Sequence, residues 1–292
     1  MKNLSDSLLI WVMLLIILCM GLSACASKQS GSNHLGDKMS SSEYEKLGDV
    51  LMARENLEMA LIQYNRSLDI DPDNHSARYK KGLVLLNQDK IREALEEFKA
   101  VAGEDPENAP AYEGISRAYM RMRNQDQAQL YLLKALRLEP DLWRSRANLG
   151  KIFDRQGKHS QAVDEHLRAI ELNPGEGSLY NNLGVSYNLS GEFNQAVKAF
   201  QKALVKGFHD PAVYNNLGLA LSKTGRYSAA LEAFAKAGSE AQAYNNLGCV
   251  YMSQGRYREA VSAFETAIKL DPSFYVTAGE NLKKARLAMG AI

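Results

Sequence analysis

Residues of the kinds that catalyse reactions occur in this 292-residue chain, but their spacing does not build a reactive centre. The five histidines lack the spacing of metal ligands, no glycine-rich loop is placed to hold a phosphate, and no Ser–His–Asp or Cys–His grouping stands out. We therefore predict that the protein is not an enzyme and that it binds neither a cofactor nor a metal ion. The formal net charge of +1 likewise gives no support to nucleic-acid binding.

The polar side chains that recur at regular intervals are cations and carboxamides. The cations are Arg117, Arg121, Arg144, Lys151 and Arg155. The carboxamides are Asn148 and the pairs Asn181/Asn182, Asn215/Asn216 and Asn245/Asn246. Arginine binds carboxylates through two parallel hydrogen bonds, and a carboxamide can pair with both the N–H and the C=O of an extended peptide. The spacing predicts a surface that binds an acidic or extended partner; the alternatives are a solvated basic face and asparagines that only tie helices together.

The elements that carry these side chains follow a period of 34 residues. A small residue is followed twelve positions later by alanine in Gly48/Ala60, Gly82/Ala94, Ser116/Ala128, Gly150/Ala162, Gly184/Ala196, Gly218/Ala230 and Gly248/Ala260. Only the last pair follows its predecessor after 30 residues. Within one period, Leu183 and Gly184 lie on the apolar face of a helix, Gly191 makes a turn, and Phe200 lies on a second helix. We expect the small residues where two helix backbones approach closely.

This pattern resembles the tetratricopeptide repeat family over about residues 41–274. The resemblance implies an all-α fold, a right-handed superhelix whose concave groove binds other proteins. Seven helix–turn–helix repeats are predicted at 41–74, 75–108, 109–142, 143–176, 177–210, 211–240 and 241–274. Repeat 6 lacks four residues, so its second helix should be about one turn shorter. Residues 275–292 are predicted to form a capping helix with Ala278, Leu282 and Ala285 facing inward.

Two isolated residues are predicted to serve packing. His166 stands where the other repeats have Tyr64, Phe98, Phe200, Phe234 and Phe264, so we interpret it as a substituted core aromatic. Cys249 would be the one cysteine left in a mature chain, and it is predicted to be a small core or groove residue.

The first 25 residues predict a location. Leu8–Met20 is an apolar run that is short for a membrane span and suits the core of a signal peptide. The segment Gly21-Leu22-Ser23-Ala24-Cys25 resembles the lipobox of bacterial lipoproteins. The resemblance implies a signal peptide at 1–24 and a lipidated Cys25 that begins a flexible tether at 25–40; the alternative is an uncleaved anchor helix. Ala26 favours the periplasmic face of the outer membrane over the outer leaflet of the inner membrane.

The C-terminal half carries a further resemblance. Residues 214–218, 237–248, 274–275 and 281–282 resemble the TadD lipoproteins of the Tad (tight adherence, Flp pilus) apparatus. This implies a role in assembling a secretin channel and a pilus, with protein partners and a membrane bound through Cys25. The alternatives are a type IV pilus pilotin, which escorts a secretin, and a scaffold for cell-wall or polysaccharide-export enzymes.

Overall fold

The computed structural model describes residues 39–290, and the described helices belong to one compact unit that begins at Ser41. Within that range the chain forms fifteen α-helices and one short 3₁₀ turn at Pro272–Phe274. None of the described helices has the length and apolar character needed to cross a bilayer. The predicted signal peptide and Cys25 lie outside the described residues, as does all but the end of the predicted tether.

The helices are numbered here along the chain. They are α1 (Ser41–Ala53), α2 (Leu57–Ile70), α3 (His75–Asn87), α4 (Ile91–Glu104), α5 (Ala109–Arg121), α6 (Gln125–Leu138), α7 (Trp143–Arg155), α8 (His159–Leu172), α9 (Gly177–Leu189), α10 (Phe193–Val205), α11 (Pro211–Lys223), α12 (Tyr227–Ala237), α13 (Glu240–Ser253), α14 (Tyr257–Leu270) and α15 (Tyr275–Gly290). Seven pairs, from α1 with α2 to α13 with α14, therefore precede the final helix, as the predicted fold class requires.

The core runs along the contacts within and between these pairs. Each first helix packs against its own second helix, and each second helix packs against the next pair. The alanine predicted at these contacts is fully buried in all seven pairs, at Ala60, Ala94, Ala128, Ala162, Ala196, Ala230 and Ala260. The fold is therefore stabilised mainly by apolar contacts between successive helices.

In six of the seven repeats, the small residue of the first helix makes room for a ring, which differs from the reason predicted. A Cβ atom built on Gly184 would lie 2.6 Å from Cε1 of Phe200, sixteen residues later on the partner helix. The same approach joins Gly48 to Tyr64, Gly82 to Phe98, Gly150 to His166, Gly218 to Phe234 and Gly248 to Phe264. In repeat 3, where Ser116 replaces the glycine, Leu132 replaces the ring. The side chain of the second helix, rather than the approach of two backbones, thus decides which residue fits.

His166 follows the same rule, with an imidazole ring in place of the phenyl ring. Its side chain is fully buried, and its ring lies against Gly150 as the phenyl rings lie against their glycines. The prediction that His166 replaces a core aromatic is correct.

Repeat 6 departs from the other repeats where the sequence indicated. Its second helix, α12, has 11 residues, whereas the other second helices have 13 or 14. The helix ends at Ala237, and α13 begins directly after Ser239. The Ser239 side chain accepts from the Gln242 N–H while Gln242 accepts from the Ser239 N–H, a capping box that starts α13 without a linker.

The final helix packs against α14 at the end of the described stack. Ala278 and Ala285 are fully buried and Leu282 is nearly so, as predicted. Leu282 and Ala285 pack with Ala260 and Phe264 of α14.

Candidate functional site

Three of the five predicted cations, Arg117, Arg121 and Arg155, converge on a cavity formed by the first helices of repeats 2, 3 and 4. This basic cavity has a volume of about 280 Å³ and is lined by Leu86, Asn87, Arg117, Met120, Arg121, Asn148 and Arg155. Its polar groups come from α3, α5 and α7, so consecutive first helices build it together. Leu86 and Met120 contribute apolar surface between the cations. The cavity therefore offers an apolar floor with a cationic rim.

Most of the cations at this site have no internal counter-ion. Arg121 pairs with Asp89 at 2.6 Å, and both side chains are exposed. In the described part of the chain, Arg117, Lys151 and Arg155 have no carboxylate within ion-pair distance. Desolvation, followed by the positive charge of Arg155, lowers the pKa of the Lys151 ammonium. An anion bound here would relieve that repulsion.

Arg144 is placed differently from the other cations. It does not line the basic cavity, and its guanidinium carbon lies 4.2 Å from the centre of the Trp143 ring. This distance is that of a cation–π contact, which holds the side chain beside the indole. Lys151 is likewise absent from the cavity lining, so three of the five predicted cations, Arg117, Arg121 and Arg155, remain as candidates for direct binding there.

A buried carboxylate near the site was missed by sequence reasoning. Glu113 is 6% exposed and accepts a hydrogen bond of 2.9 Å from the hydroxyl of Ser145. Burial, followed by the charge of Glu113, raises the pKa of Tyr79, while Arg117 and Arg144 act in the opposite direction. The only signal available was position: Glu113 stands at the fifth position of its repeat, where later repeats have Asn181, Asn215 and Asn245.

The asparagines divide into two sets. The fifth-position residues tie repeats together, since Asn215 Oδ1 accepts from Asn246 at 3.2 Å and Asn245 Oδ1 accepts from Asn281 at 3.0 Å. Asn245 is 7% exposed, and the Asn181 oxygen is buried without a partner among the described residues. Asn215 and Asn245 therefore make hydrogen bonds between neighbouring first helices.

The sixth-position residues do not share one surface, and Asn246 is itself tied to Asn215. Asn216 and Asn246 line a second cavity of about 400 Å³ with Asn215, Leu219, Phe234, Cys249, Val250 and Ser253. We call this the asparagine cavity. Asn148 lines the basic cavity instead, and Asn182, which is half-buried, lines neither. The predicted row of carboxamides is thus split between two cavities.

Cys249 lies in the wall of the asparagine cavity, which confirms its interpretation as a groove residue. The Asn281 side chain donates to its sulfur at 3.6 Å. Burial raises the pKa of the thiol, and the charge of Lys284 acts against that effect. The thiol is therefore mainly protonated at neutral pH and serves packing better than nucleophilic chemistry.

In repeats 1 and 2, the cation Lys80 is paired with carboxylates of the same chain. Lys80 Nζ lies 2.7 Å from an oxygen of Glu45 and 2.7 Å from an oxygen of Asp49. Glu45 also accepts from Ser76 and Asn74, and Asp49 accepts from the hydroxyl of Tyr64 at 2.8 Å. These charged groups are engaged within the chain. Across residues 39–290, no group of three or more His, Cys, Asp or Glu side chains is placed to hold a metal ion.

Four family models for the tetratricopeptide repeat match the chain, at residues 48–89, 85–149, 182–245 and 241–274. The chain is a tetratricopeptide repeat protein. This agrees with the helix pairs and confirms the predicted all-α superhelix of repeats followed by a final helix.

Relatives of this tetratricopeptide protein share parts of it. The "TPR repeat-containing thioredoxin TTL4" of Arabidopsis thaliana is 27% identical over 92 residues, which span 32% of this chain and only 14% of that relative. The structure of the APC/C hetero-tetramer Cut9–Hcn1 is 23% identical with a TM-score of 0.61 over 84% of this chain and 48% of that one. The Pseudomonas aeruginosa pilF structure is 20% identical with a TM-score of 0.57 over 73% of this chain and 96% of that one. These two structures share the fold.

Proposed function

We propose that this protein is a non-enzymatic scaffold that holds an extended, acidic segment of a partner protein in its groove. The observation that carries the proposal is the basic cavity, where Arg117 and Arg155 have no counter-ion among the described residues. A partner carboxylate would supply the missing charge. Each charge-assisted hydrogen bond formed there contributes about 1.5–3 kcal/mol.

The asparagine cavity gives the same partner a second point of attachment. Asn216 and Asn246 present carboxamides beside Leu219 and Val250, so the cavity combines donors and acceptors with apolar surface. Such a surface suits the backbone of an extended chain and one apolar side chain. The acidic part of the partner would lie over repeats 2 to 4, and the part held by its backbone would lie over repeats 6 and 7.

We further propose that the protein is a lipoprotein anchored through Cys25 to the periplasmic face of the outer membrane. The support is the segment Gly21–Cys25 and the alanine at position 26. Replacing Cys25 with Ser should release the protein from membranes or leave an unprocessed precursor. Normal processing and unchanged membrane fractionation of that variant would rule out lipidation at Cys25.

The machine that the scaffold serves is proposed to be a Tad (Flp pilus) apparatus, with its secretin or a pilus-assembly protein as the partner. The support is the resemblance of residues 214–218, 237–248, 274–275 and 281–282 to TadD lipoproteins. A pilotin for a type IV pilus secretin and a scaffold for cell-wall or export enzymes remain the competing roles.

In-cell crosslinking tests both the groove and the machine. A photoreactive amino acid would replace Met120 in the basic cavity or Ser253 in the asparagine cavity, with Val205, which is 78% exposed and outside both cavities, as the matched control. We expect the two groove positions, and not the control, to capture the same secretin or pilus-assembly protein. Capture of a cell-wall or export enzyme would reassign the machine, and equal capture at Val205 would refute binding in the groove.

A further inference from the structure

The last helix is placed as the first helix of an additional unit. Asn281 donates to Asn245 at 3.0 Å, just as Asn246 donates to Asn215 one repeat earlier. With Asn281 aligned to Asn246, the buried residues Ala278 and Ala285 align with the buried residues Ala243 and Val250. The helix α15 therefore continues the stacking pattern of α13.

The face that such a helix normally presents to its second helix is open in α15. In the preceding seven units this face is covered by a helix whose side chain fits the small residue. Here the corresponding face carries a cavity of about 410 Å³ lined by Gly279, Leu282, Lys283, Arg286 and Leu287. We call it the end face. Leu287 is 66% exposed, so an apolar side chain also stands uncovered there.

Two substitutions change the chemistry of the end face. In the same alignment, Lys283 takes the position of Gly248, and Arg286 takes the position of Tyr251. Gly248 is small because a Cβ there would lie 2.6 Å from the Phe264 ring, so Lys283 excludes a ring from the equivalent place. Arg286 already binds one carboxylate, that of Glu265, at 2.7 Å. The end face is therefore shaped for an acidic group where the repeats accept an aromatic one.

The described chain does not turn back to cover this face. Gly290 aligns with Gly255, which turns the chain after α13 with a φ of +73°. In α15, however, Gly290 is still helical, and the helix runs past the point where α13 ends. The second helices of the preceding pairs are all packed in their own units. Lys283 and Arg286 make the open face basic, so an acidic helix of a partner complements its charge.

We propose that the end face is a docking site for an acidic amphipathic helix of a partner protein, separate from the groove. The partner helix takes the place of a second helix, with a carboxylate against Lys283 and apolar side chains against Leu282 and Leu287. This site extends the stack by one helix in trans.

Two synthetic peptides test the site. Both cover residues 257–270, the second helix of repeat 7; one keeps Phe264 and the other has Glu in its place. Binding to the full-length protein would be measured by fluorescence anisotropy at low salt. We expect the glutamate peptide to bind at least tenfold more tightly than the phenylalanine peptide.

Matched variants assign the binding to the end face. Lys283→Ala should weaken the glutamate peptide at least tenfold, whereas Lys284→Ala, at the neighbouring cation that acts on Cys249, should leave its affinity unchanged. Leu287→Asp should abolish binding of both peptides, and melting curves of all variants establish that they fold. Failure of both peptides to bind, equal affinities, or equal effects of the two lysine substitutions would each overturn the proposal.

Discussion

Repeats 1 and 2 and repeats 3 and 4 have the same length and helix order, yet their grooves differ in how charge is balanced. In the first pair of repeats, Lys80 lies between Glu45 and Asp49, so the cation is fully paired with carboxylates of its own chain. In the second pair, Arg117 and Lys151 have no such partner among the described residues. Lys80 shows that this scaffold can pair a groove cation with its own carboxylates, which makes the unpaired cations informative.

The cores of the two regions differ as well. Repeats 1 and 2 pack Tyr64 and Phe98 against glycine, whereas Leu132 and His166 occupy that slot in repeats 3 and 4. His166 brings a polar cluster with it, since its Nε2 lies 3.8 Å from Asp154, which accepts a hydrogen bond of 2.6 Å from Ser186. The segment with the unpaired groove cations is thus also the segment with the altered core.

The comparison teaches that charge in a groove does not by itself indicate a ligand. What separates the two regions is whether each charge is satisfied inside the chain. Unsatisfied charges raise the free energy of the unbound protein and favour a partner that neutralises them.

The largest expected effect comes from reversing two cations of the basic cavity. The double variant Arg117→Glu/Arg155→Glu removes two charge-assisted contacts of about 1.5–3 kcal/mol each, so an acidic hexaglutamate probe should bind at least about a hundredfold more weakly. Fluorescence anisotropy at low salt measures this affinity, because salt screens such contacts. The matched control, Arg137→Glu/Lys198→Glu, makes the same change in net charge outside both cavities and should alter the affinity little. Equal losses in both variants would reduce the binding to non-specific attraction.

A second prediction transfers the core of repeat 3 into repeat 2. Gly82→Ser places a side chain against Phe98, where a Cβ would lie 2.6 Å from the ring, and should lower the free energy of unfolding by about 1–3 kcal/mol. Combining it with Phe98→Leu recreates the Ser116/Leu132 arrangement, so the double variant should lose less than the sum of the single losses. Denaturant unfolding of the four proteins measures the coupling. Strict additivity would show that glycine and ring are not a matched pair.

The period and the identity of the buried alanines were predictable because they depend on helix geometry, which repeats every 34 residues. The split between Asn215 and Asn216 was not, since adjacent residues on a helix point about 100° apart and a small rotation decides which one faces a neighbouring repeat. The ion pairs of Lys80 could not be predicted from the sequence for a related reason. Its partners Glu45 and Asp49 lie 35 and 31 residues earlier, and only packing of one repeat on the next brings them together.

The third prediction concerns the ion pairs of Lys80 in repeats 1 and 2. Lys80→Met should lower the free energy of unfolding by about 1–2 kcal/mol, because it strips Glu45 and Asp49 of their shared cation. Binding of the hexaglutamate probe should be unchanged, in contrast to the variants of the basic cavity. A loss of binding as large as that of Arg117→Glu/Arg155→Glu would erase the distinction between the two regions.

The fourth prediction is that low pH weakens the network of Glu45 and Lys80 and so destabilises the fold. Burial raises the pKa of Glu45, but hydrogen bonds from Lys80, Ser76 and Asn74 outweigh it, so the pKa is lower than the ordinary value of 4.5. A lowered carboxyl pKa stabilises the fold above the pKa of the unfolded chain, and that stability is lost as pH falls through the folded value. The melting temperature should therefore fall below about pH 5, and Lys80→Met should flatten this dependence on pH. An unchanged slope in the variant would mean that other carboxylates govern acid unfolding.

The smallest effects on stability and affinity are expected from substitutions at the fifth-position and sixth-position asparagines. Asn245→Ala removes the acceptor of the Asn281 hydrogen bond at a buried site and should lower the free energy of unfolding by about 1 kcal/mol. Asn216→Ala should change that free energy by less than about 0.5 kcal/mol, because the side chain only lines the asparagine cavity. The affinity for the segment captured from Ser253 should respond in the opposite order, falling with Asn216→Ala and not with Asn245→Ala. If both variants lose stability and neither loses affinity, the sixth-position asparagines are ties between helices, and the groove binds its partner through the basic cavity alone.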